Sequence, residues 1–536
     1  MIASVFLIDM TPKTLSLSLL LALLFTFPAA AAVHDRAVRV AASNVDVYFS
    51  FDSVPGALPG GHVTLTGAVR RASVAPAGTG SVDATVTIEV PAAMSNITAS
   101  GEQWHCSIQS TTVTCTTALF ADRNSELLHI DFDVPASTEG GRYDIKATLT
   151  TSLPNVYPFP STQATVSIPR TFTVTTAADF GAGSLRDAIQ SANERCNDSG
   201  VGCVINFAGP MTIEPMSPLP AITGCNILLN GGVDYRASLD LERPVEISGV
   251  KAGFANGLEV RSRCSTTIQG LTVNRFAANG IVLAPPVPAS VNVQSCFIGT
   301  DTTASAARPN GMRGIAIETP QTSATIFNNI VSGNRYSGIA VWAASSVSLT
   351  SNRIGLGRDS RPLGNGASGV YVDGGEAHIF STIAYNHDFG VGVGPHAAHV
   401  DAMADNFFAN GVQDVDWGLD GRTLTDPTSR MPPVPLLIDS SYDAARNLTT
   451  IRGVLPAEGR KNGWYTVRLF KRTASGSTSL GVGFEDRITA TGDVPFTVNV
   501  IGDLRGSTIV GQSGFLIFSD SFPTDTSELS APLVVQ

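Results

Sequence analysis

The stretch Gly280-Ile-Val-Leu283 recurs with small changes at five later places in the chain. In each copy a glycine precedes alternating apolar residues, and successive copies begin 34, 24, 31, 21 and 21 residues apart. The later copies are Gly314-Ile-Ala-Ile, Gly338-Ile-Ala-Val, Gly369-Val-Tyr-Val, Gly390-Val-Gly-Val and Gly411-Val-Gln-Asp-Val. Alternating apolar residues predict a short strand with one buried face. Recurrence at intervals of this size predicts a solenoid in which each interval forms one coil.

A second short strand is predicted between the repeats, and asparagine is frequent beside it. Its segments are Cys296-Phe-Ile, Asn328-Asn-Ile, Asn352-Arg-Ile and Asn406-Phe-Phe. Asparagine suits the corners of a coil because it tolerates the left-handed backbone region and can hydrogen-bond locally. The two longest coils carry related insertions, 298–311 and 354–366. Together these features predict a parallel β-helix.

The segment that precedes the repeats predicts a cap for the open end of this solenoid. Residues 171–176 form a predicted strand, and 179–193 (DFGAGSLRDAIQSAN) predict a turn and one helix, with Ser184 and Asp187 spaced as in a capping box. A short helix can cover the backbone and apolar interior of such an end. This wording, "INF" at Ile205 and "SPLPAI" at Ser217 resemble the N-terminal cap of bacterial secreted right-handed β-helix proteins of the pectin-lyase-like fold group. The resemblance implies a fold and no particular reaction.

Strands of period two flank the repeats and predict two further β domains. The whole chain is therefore expected to be all-β: a right-handed parallel β-helix with an N-terminal capping helix, flanked by two β-sandwich domains. The motif Trp104-x-Cys106 with Val113-x-Cys115 resembles an Ig-like repeat of bacterial surface proteins, and "DTSELS" at 525–530 resembles the small sandwich that often closes β-helix proteins. The expected boundaries are 1–32 signal peptide, 36–169 Ig-like sandwich, 171–425 β-helix, 426–435 linker and 436–536 C-terminal sandwich.

The N-terminus predicts export from the cytoplasm. Lys13 precedes an apolar run, 15–27, and four alanines follow at 29–32, which is the pattern of a secretory signal. The mature chain is expected to be secreted or held at the cell surface, with no transmembrane segment. The net charge of −11 has no compensating basic stripe, so nucleic acid is not an expected partner.

Seven cysteines fit an oxidising destination. Cys106 and Cys115 lie on either side of a predicted hairpin, and Cys196 and Cys203 flank a short loop, so both pairs are expected to form local disulfides. The pairing of Cys225, Cys264 and Cys296 stays open, although at least one thiol must be free.

The most promising functional residues lie on one predicted outward row of the coils. Positions four residues after the recurrent glycine are Ala284, Glu318, Trp342, Asp373 and Gly394, and positions two residues after it are Val282, Ala316, Ala340, Tyr371 and Gly392. Trp342 and Tyr371 are candidate ligand-binding residues, since an aromatic plane can stack on a sugar ring. Glu318 and Asp373, two coils apart and thus roughly 9–10 Å from each other, are candidate catalytic carboxylates of a glycosidase. Small residues beside them are expected to leave a groove.

Two histidines form a second candidate site. His378 and His399 are 21 residues apart, which matches the local coil length and predicts imidazoles stacked on adjacent coils. Such a pair is a candidate transition-metal site, and the alternative is a solvated histidine row. No other cofactor is expected.

The leading hypothesis is a non-catalytic extracellular or cell-surface protein whose β-helix binds glycans or other surface polymers. The second hypothesis is a polysaccharide lyase or glycosidase that uses Glu318 and Asp373, and the third is a structural spacer. The identity of the ligand, the means of surface attachment and the oligomeric state stay open at this level.

Overall fold

The computed structural model describes residues 45–71, 82–119, 124–152, 156–158, 161–197, 200–344, 346–402, 406–421, 431–456, 463–473, 476–488, 492–516 and 525–536. The predicted signal peptide, 1–32, lies outside these residues. The chain divides into two compact units, Met1–Pro169 and Arg170–Gln536. Among the described residues, no helix has both the length and the apolar composition needed to cross a bilayer.

The first unit is a β-sandwich of two five-stranded sheets. One sheet has the order β4-β7-β2-β1-β9 and the other β10-β8-β3-β6-β5. Their apolar faces meet in one core, because alternate residues such as Val86 and Ile88 are fully buried. The strands are β1 (Val45–Ser53), β2 (His62–Arg71), β3 (Val82–Glu89), β4 (Ser95–Ser100), β5 (His105–Gln109), β6 (Thr112–Leu119), β7 (Leu128–Asp133), β8 (Gly141–Thr151), β9 (Val156–Pro158) and β10 (Thr162–Ile168).

The second unit begins with the predicted right-handed parallel β-helix, which has three ladders of parallel strands around one apolar interior. The first ladder contains β11 (Arg170–Val174), β12 (Cys203–Phe207), β14 (Ile227–Asn230), β17 (Thr266–Gln269), β20 (Ala289–Gln294), β23 (Thr322–Phe327), the starts of β26 (Ser346–Ile354) and β28 (Gly375–Ala384), and β30 (Ala397–Ala402). The second contains β13 (Met211–Ile213), β15 (Val245–Ser248), β18 (Thr272–Asn274), β21 (Phe297–Ile298), β24 (Ile330–Val331), the ends of β26 and β28, and β31 (Phe407–Phe408).

The third ladder consists of the strands that follow the recurrent glycines. It contains β16 (Leu258–Val260), β19 (Ile281–Leu283), β22 (Ile315–Ile317), β25 (Ile339–Val341), β27 (Val370–Val372), β29 (Phe389–Val393) and β32 (Gln413–Trp417). The expected place of Gly411 in this series is wrong. Val391 pairs with Val415, so the residue level with Gly390 is Asp414, and Gly411 lies in the preceding turn. An earlier coil also belongs to the series, since Leu258 after Gly257 pairs with Ile281.

Buried asparagines hold successive coils together at one corner. The amides of Asn310, Asn334, Asn365, Asn386 and Asn410 form a chain in which each Nδ2 donates to the Oδ1 of the next residue, over 2.9–3.0 Å. We call this chain the asparagine ladder. It ends where Asn410 Nδ2 donates to Oδ1 of Asp414 at 2.8 Å. Such side chains satisfy buried polar groups that a coil corner would otherwise leave unpaired.

The expected reason for asparagine beside the second strand holds for only part of the series. Asn328 does adopt the left-handed conformation, with φ of 55°. At the corresponding corner of the next coil the left-handed residue is Ser351, and Asn352 is buried and accepts a hydrogen bond from Nδ2 of Asn329 at 3.0 Å. The asparagines next to the corner therefore serve coil-to-coil hydrogen bonding rather than backbone conformation.

The predicted helix covers the N-terminal end of the interior. Helix α1 (Leu185–Arg195) begins after Ser184, whose hydroxyl accepts a hydrogen bond from the backbone N–H of Asp187 at 3.2 Å. The carboxylate of Asp187 in turn accepts from the N–H of Gly183, so the capping box is reciprocal. Leu185 and Ile189 are fully buried in the same core as the coils.

A second β-sandwich follows the coils in the same unit. One sheet contains β33 (Leu436–Asp443), β34 (Leu448–Leu455) and β37 (Val494–Ile501), and the other contains β36 (Gly476–Ile488), β35 (Gly463–Thr473), β38 (Thr508–Leu516), β39 (Asp525–Thr526) and β40 (Leu533–Val534). The described part of the expected linker, 431–435, is not a solvated connection. Met431 and Val434 are buried, and the Pro433 carbonyl accepts a hydrogen bond from Ser513 at 2.5 Å.

The structure contains three disulfides. Cys106 is bonded to Cys115 and Cys196 to Cys203, the two expected pairs. The third disulfide joins Cys225 to Cys264 across 39 residues, and Cys296 is the free thiol, fully buried in the interior.

Candidate functional site

The outward row of the third ladder brings the predicted site residues onto consecutive coils. The N–H of Trp342 donates to the carbonyl of Ile317, and the N–H of Asp373 donates to the carbonyl of Val341. Glu318, Trp342 and Asp373 therefore follow one another along the ladder, in the order that the sequence predicts. Tyr371 lies on the coil of Asp373, opposite Ala340.

The expected groove of small residues is wrong at this position. Val282, Ala316 and Ala340 are 0–2% exposed, although alternation along each strand points them away from the interior. Val282 and Ala316 pack together in a small cluster of their own, separate from the interior core. Larger side chains therefore cover the floor that they form.

Three side chains pack together beside this floor. The guanidinium carbon of Arg313 lies 4.8 Å from the centroid of the Trp342 ring, within the range of a cation–π interaction. The rings of Trp342 and Tyr371 meet edge to face, with centroids 5.1 Å apart. Trp342 remains 39% exposed. We call Arg313, Glu318, Trp342, Tyr371 and Asp373 the ladder patch.

Electrostatics within the ladder patch follow from partial burial. Burial lowers the pKa of Arg313, and the charge of Glu318 nearby opposes this shift. Burial also raises the pKa of Tyr371, and the neighbouring Asp373 carboxylate raises it further. The tyrosine therefore stays a neutral hydrogen-bonding group, and the arginine stays charged.

Asp373 is held by a histidine on the next coil. Its Oδ1 accepts a hydrogen bond from the backbone N–H of His396 at 3.1 Å and lies 3.1 Å from Nδ1 of the same residue. The carboxylate is 16% exposed, whereas the imidazole is 77% exposed. Asp373 is thus oriented by contacts within the protein, while His396 presents its other ring nitrogen at the surface.

The predicted stacking of His378 on His399 is wrong. The strand register shifts between Gly375 and Glu376, so that His378 lies opposite Asp401 and His399 lies opposite Glu376. Nδ1 of His399 lies 3.2 Å from Oδ2 of Asp525, which belongs to the C-terminal sandwich. Coil length alone predicted the stacking, and the irregularity in β28 changes it by one residue. No group of three or more His, Cys, Asp or Glu residues suited to a metal ion occurs in the described part of the chain.

Sequence reasoning missed three residues of this surface: Arg313, Tyr336 and His396. Arg313 directly precedes a recurrent glycine and Tyr336 lies two residues before another, while His396 follows the strand end on its coil. Tyr336 is 53% exposed and lies close enough to Arg313 to affect its pKa. Only positions after each glycine were compared in the repeat alignment, and positions before it would have revealed the first two.

The fold and this surface define a β-helix protein with an aromatic and charged patch on one ladder. Residues 294–420 match the model of a family described as "Periplasmic copper-binding protein (NosD)", a family of right-handed β-helix proteins. The match includes the coils that carry the ladder patch.

Solved structures that resemble parts of the chain do so only weakly. The CaCohA2 structure from Clostridium acetobutylicum is 14% identical, covers 23% of this chain and 92% of its own, and has a TM-score of 0.19. The seventh ScaB type I cohesin from Pseudobacteroides cellulosolvens is 11% identical, with coverage of 24% and 92% and a TM-score of 0.17. The major pilin SpaA of Corynebacterium diphtheriae is 13% identical, with coverage of 25% and 40% and a TM-score of 0.18. No curated protein matches the chain significantly.

Proposed function

We propose that this chain is an exported, non-catalytic binding protein that holds a glycan or a similar surface polymer at the ladder patch. The observation that carries the proposal is the placement of Trp342: its indole is partly exposed, between the guanidinium of Arg313 and the ring of Tyr371. An amphipathic aromatic surface of this kind can stack on the apolar face of a sugar ring.

The polar groups around Trp342 supply the hydrogen bonds that a sugar needs. The guanidinium of Arg313 offers donors in a fixed plane, and Glu318 offers acceptors on the coil before Trp342. Contacts with the indole hold the guanidinium in place before a ligand arrives, which reduces the ordering cost of binding. The coils continue on both sides of the patch, so an extended polymer can lie along the solenoid.

Export is part of this proposal. The signal sequence, three disulfides and the match to a family described as periplasmic all favour a location outside the cytoplasm. The Ig-like nature of the first sandwich and the membership of the pectin-lyase-like fold group belong to the same proposal and rest on the sequence resemblances.

Catalysis by Glu318 and Asp373 is the second candidate. It requires one carboxylate to act as a general acid and the other as a base or nucleophile. Asp373 is instead engaged by His396, and Trp342 occupies the coil between the two carboxylates. This arrangement favours binding over bond cleavage.

One experiment separates these functions. The chain from residue 33 onward is incubated with a panel of neutral and acidic polysaccharides, while retention, reducing ends and unsaturated-uronate absorbance are recorded together. Retention without product is the expected result. Product formation that Glu318→Gln or Asp373→Asn abolishes would establish an enzyme. Retention that requires added Cu²⁺ and is lost in His396→Ala would favour the activity in the description of the matched family, and absence of retention on every polymer would favour the spacer.

A further inference from the structure

The β-helix ends in three strand edges, one on each ladder: β30, β31 and β32. In the middle of the solenoid each such edge pairs with the strand of the next coil. An edge without a partner presents free N–H and C=O groups and is a template for pairing with another chain. The C-terminal sandwich supplies hydrogen-bonding groups to all three edges.

On the first ladder, three side chains of the sandwich take the place of a further strand. Oδ1 of Asp525 accepts a hydrogen bond from the N–H of Val400 at 2.9 Å, and Oγ1 of Thr526 accepts from the N–H of Ala402 at 2.8 Å. Nε2 of Gln512 donates to the carbonyl of Ala402 at 2.9 Å. The alternating donors and acceptors of β30 are thus met one by one.

The other two edges are met in the same way. On the third ladder, Oε1 of Glu528 accepts a hydrogen bond from the N–H of Trp417 at 3.0 Å. On the second ladder, the carbonyl of Phe407 accepts from Arg472 at 3.3 Å and from the hydroxyl of Ser477 at 3.4 Å. Asp525, Thr526 and Glu528 are 0–5% exposed, so these contacts are shielded from water.

We propose that the C-terminal sandwich masks a pairing edge, and that the partner which fits this edge is the last coil of a second copy of the chain. Three edges that end at one level can all pair only with a surface that has three strand edges in the same arrangement. The opposite end of the β-helix is covered by α1. The last coil of another copy is therefore the one matching surface that this chain offers.

The proposal predicts a closed dimer once the mask is removed. Two copies that meet end to end use the same surface on both sides, and their other ends stay covered by α1, so growth stops at two. The variant Asp525→Ala, Thr526→Ala, Glu528→Ala removes the three acceptors and leaves every residue of the coils unchanged.

The test is the mass of the full chain by light scattering at several concentrations. We expect the triple variant to show twice the mass of the wild-type particle, with the amides of Val400, Ala402 and Trp417 protected from hydrogen exchange in the dimer. The matched control is Asp525→Asn, Glu528→Gln, which keeps an acceptor oxygen at both positions and is expected to have the wild-type mass. A folded triple variant with the wild-type mass would overturn the proposal, and so would open-ended aggregation. If the triple variant does not fold, Glu528→Ala alone decides: a concentration-dependent doubling supports the proposal, and an unchanged mass overturns it.

Discussion

The guanidinium of Arg313 lies over the indole of Trp342, 4.8 Å from the ring centroid, although the two residues belong to neighbouring coils. This contact joins two rungs of the third ladder at the surface and orients the most exposed aromatic ring of the ladder patch. It also fills the space above Ala316 and Ala340 that the sequence predicts as a groove. A pre-organised platform therefore replaces an open cleft at this site.

The pair should show a measurable coupling energy. In a double-mutant cycle, Arg313→Gln and Trp342→Phe are expected to couple by about 0.5–1 kcal/mol in the free energy of unfolding, because the cation–π contact is only partly desolvated. Urea unfolding of the four proteins measures this energy. A coupling energy of zero would show that the two side chains are neighbours without interaction.

Breaking the asparagine ladder should cost far more than removing a surface asparagine. Asn365 is 1% exposed and hydrogen-bonds to Asn334, Asn386 and the carbonyl of Val331. The change Asn365→Ala leaves those buried groups without partners and is expected to destabilise the protein by about 2–4 kcal/mol. Asn292, on the outward face of β20, makes one side-chain bond to Thr267 at 3.3 Å, so Asn292→Ala is the matched control, with an expected cost below about 1 kcal/mol. Equal costs would contradict the proposed role of the ladder.

The stability of the second unit should fall as pH rises from about 4 to about 7. Asp401 is fully buried and both of its carboxylate oxygens lack a hydrogen-bond partner in the structure. Burial raises the pKa of this carboxyl from 3.8 to about 7, and burial raises that of Asp416 to about 6. Since these pKa values are higher in the folded state, the folded protein binds more protons in this window, and alkali favours unfolding.

Asp401→Asn should remove part of this dependence. The variant is expected to be more stable than the wild type at pH 8, by on the order of 3 kcal/mol, and about as stable near pH 4. Thermal or urea unfolding at half-unit pH steps measures the difference. Glu242→Gln, at an exposed position, serves as the control and should follow the wild type. Parallel pH curves for Asp401→Asn and the wild type would contradict this assignment.

The disulfides should differ in their contribution according to the loop that each closes. Cys225–Cys264 closes a segment with a separation of 39 residues, and Cys196–Cys203 one of 7. Loop-closure entropy predicts a loss of about 4 kcal/mol for the pair of alanine substitutions at 225 and 264, against about 2.5 kcal/mol at 196 and 203. Calorimetry of both variants provides the comparison. A larger loss from the shorter loop would show that native-state contacts, and not the unfolded chain, dominate.

The sequence predicts the fold well because each coil repeats the same physical requirement. Glycine at the strand start, alternating apolar residues and the capping box of Ser184 and Asp187 are local patterns, and all of them appear in the structure. The order of Glu318, Trp342 and Asp373 along the ladder follows from the same register. Repetition turns a local pattern into a long-range one, so few alternatives remain.

The remaining features depend on irregularities and on contacts distant in sequence. The one-residue shift in β28 separates His378 from His399, and nothing in the spacing of 21 residues indicates that shift. Arg313 reaches the next coil through its long side chain, so its contact with Trp342 is invisible to an alignment of equivalent positions. The hydrogen bonds of Asp525 and Glu528 to the last coil join residues more than one hundred positions apart.

The central claim is that the ladder patch binds a polymer through Trp342, and the binding isotherm of Trp342→Ala on a retained polysaccharide tests it most directly. The account predicts a loss of affinity of about tenfold or more, equivalent to about 1.4 kcal/mol, because the change removes the aromatic platform. Phe254→Ala removes a more exposed aromatic ring three coils away and should leave the affinity unchanged. Equal affinities for Trp342→Ala and the wild type would contradict the claim.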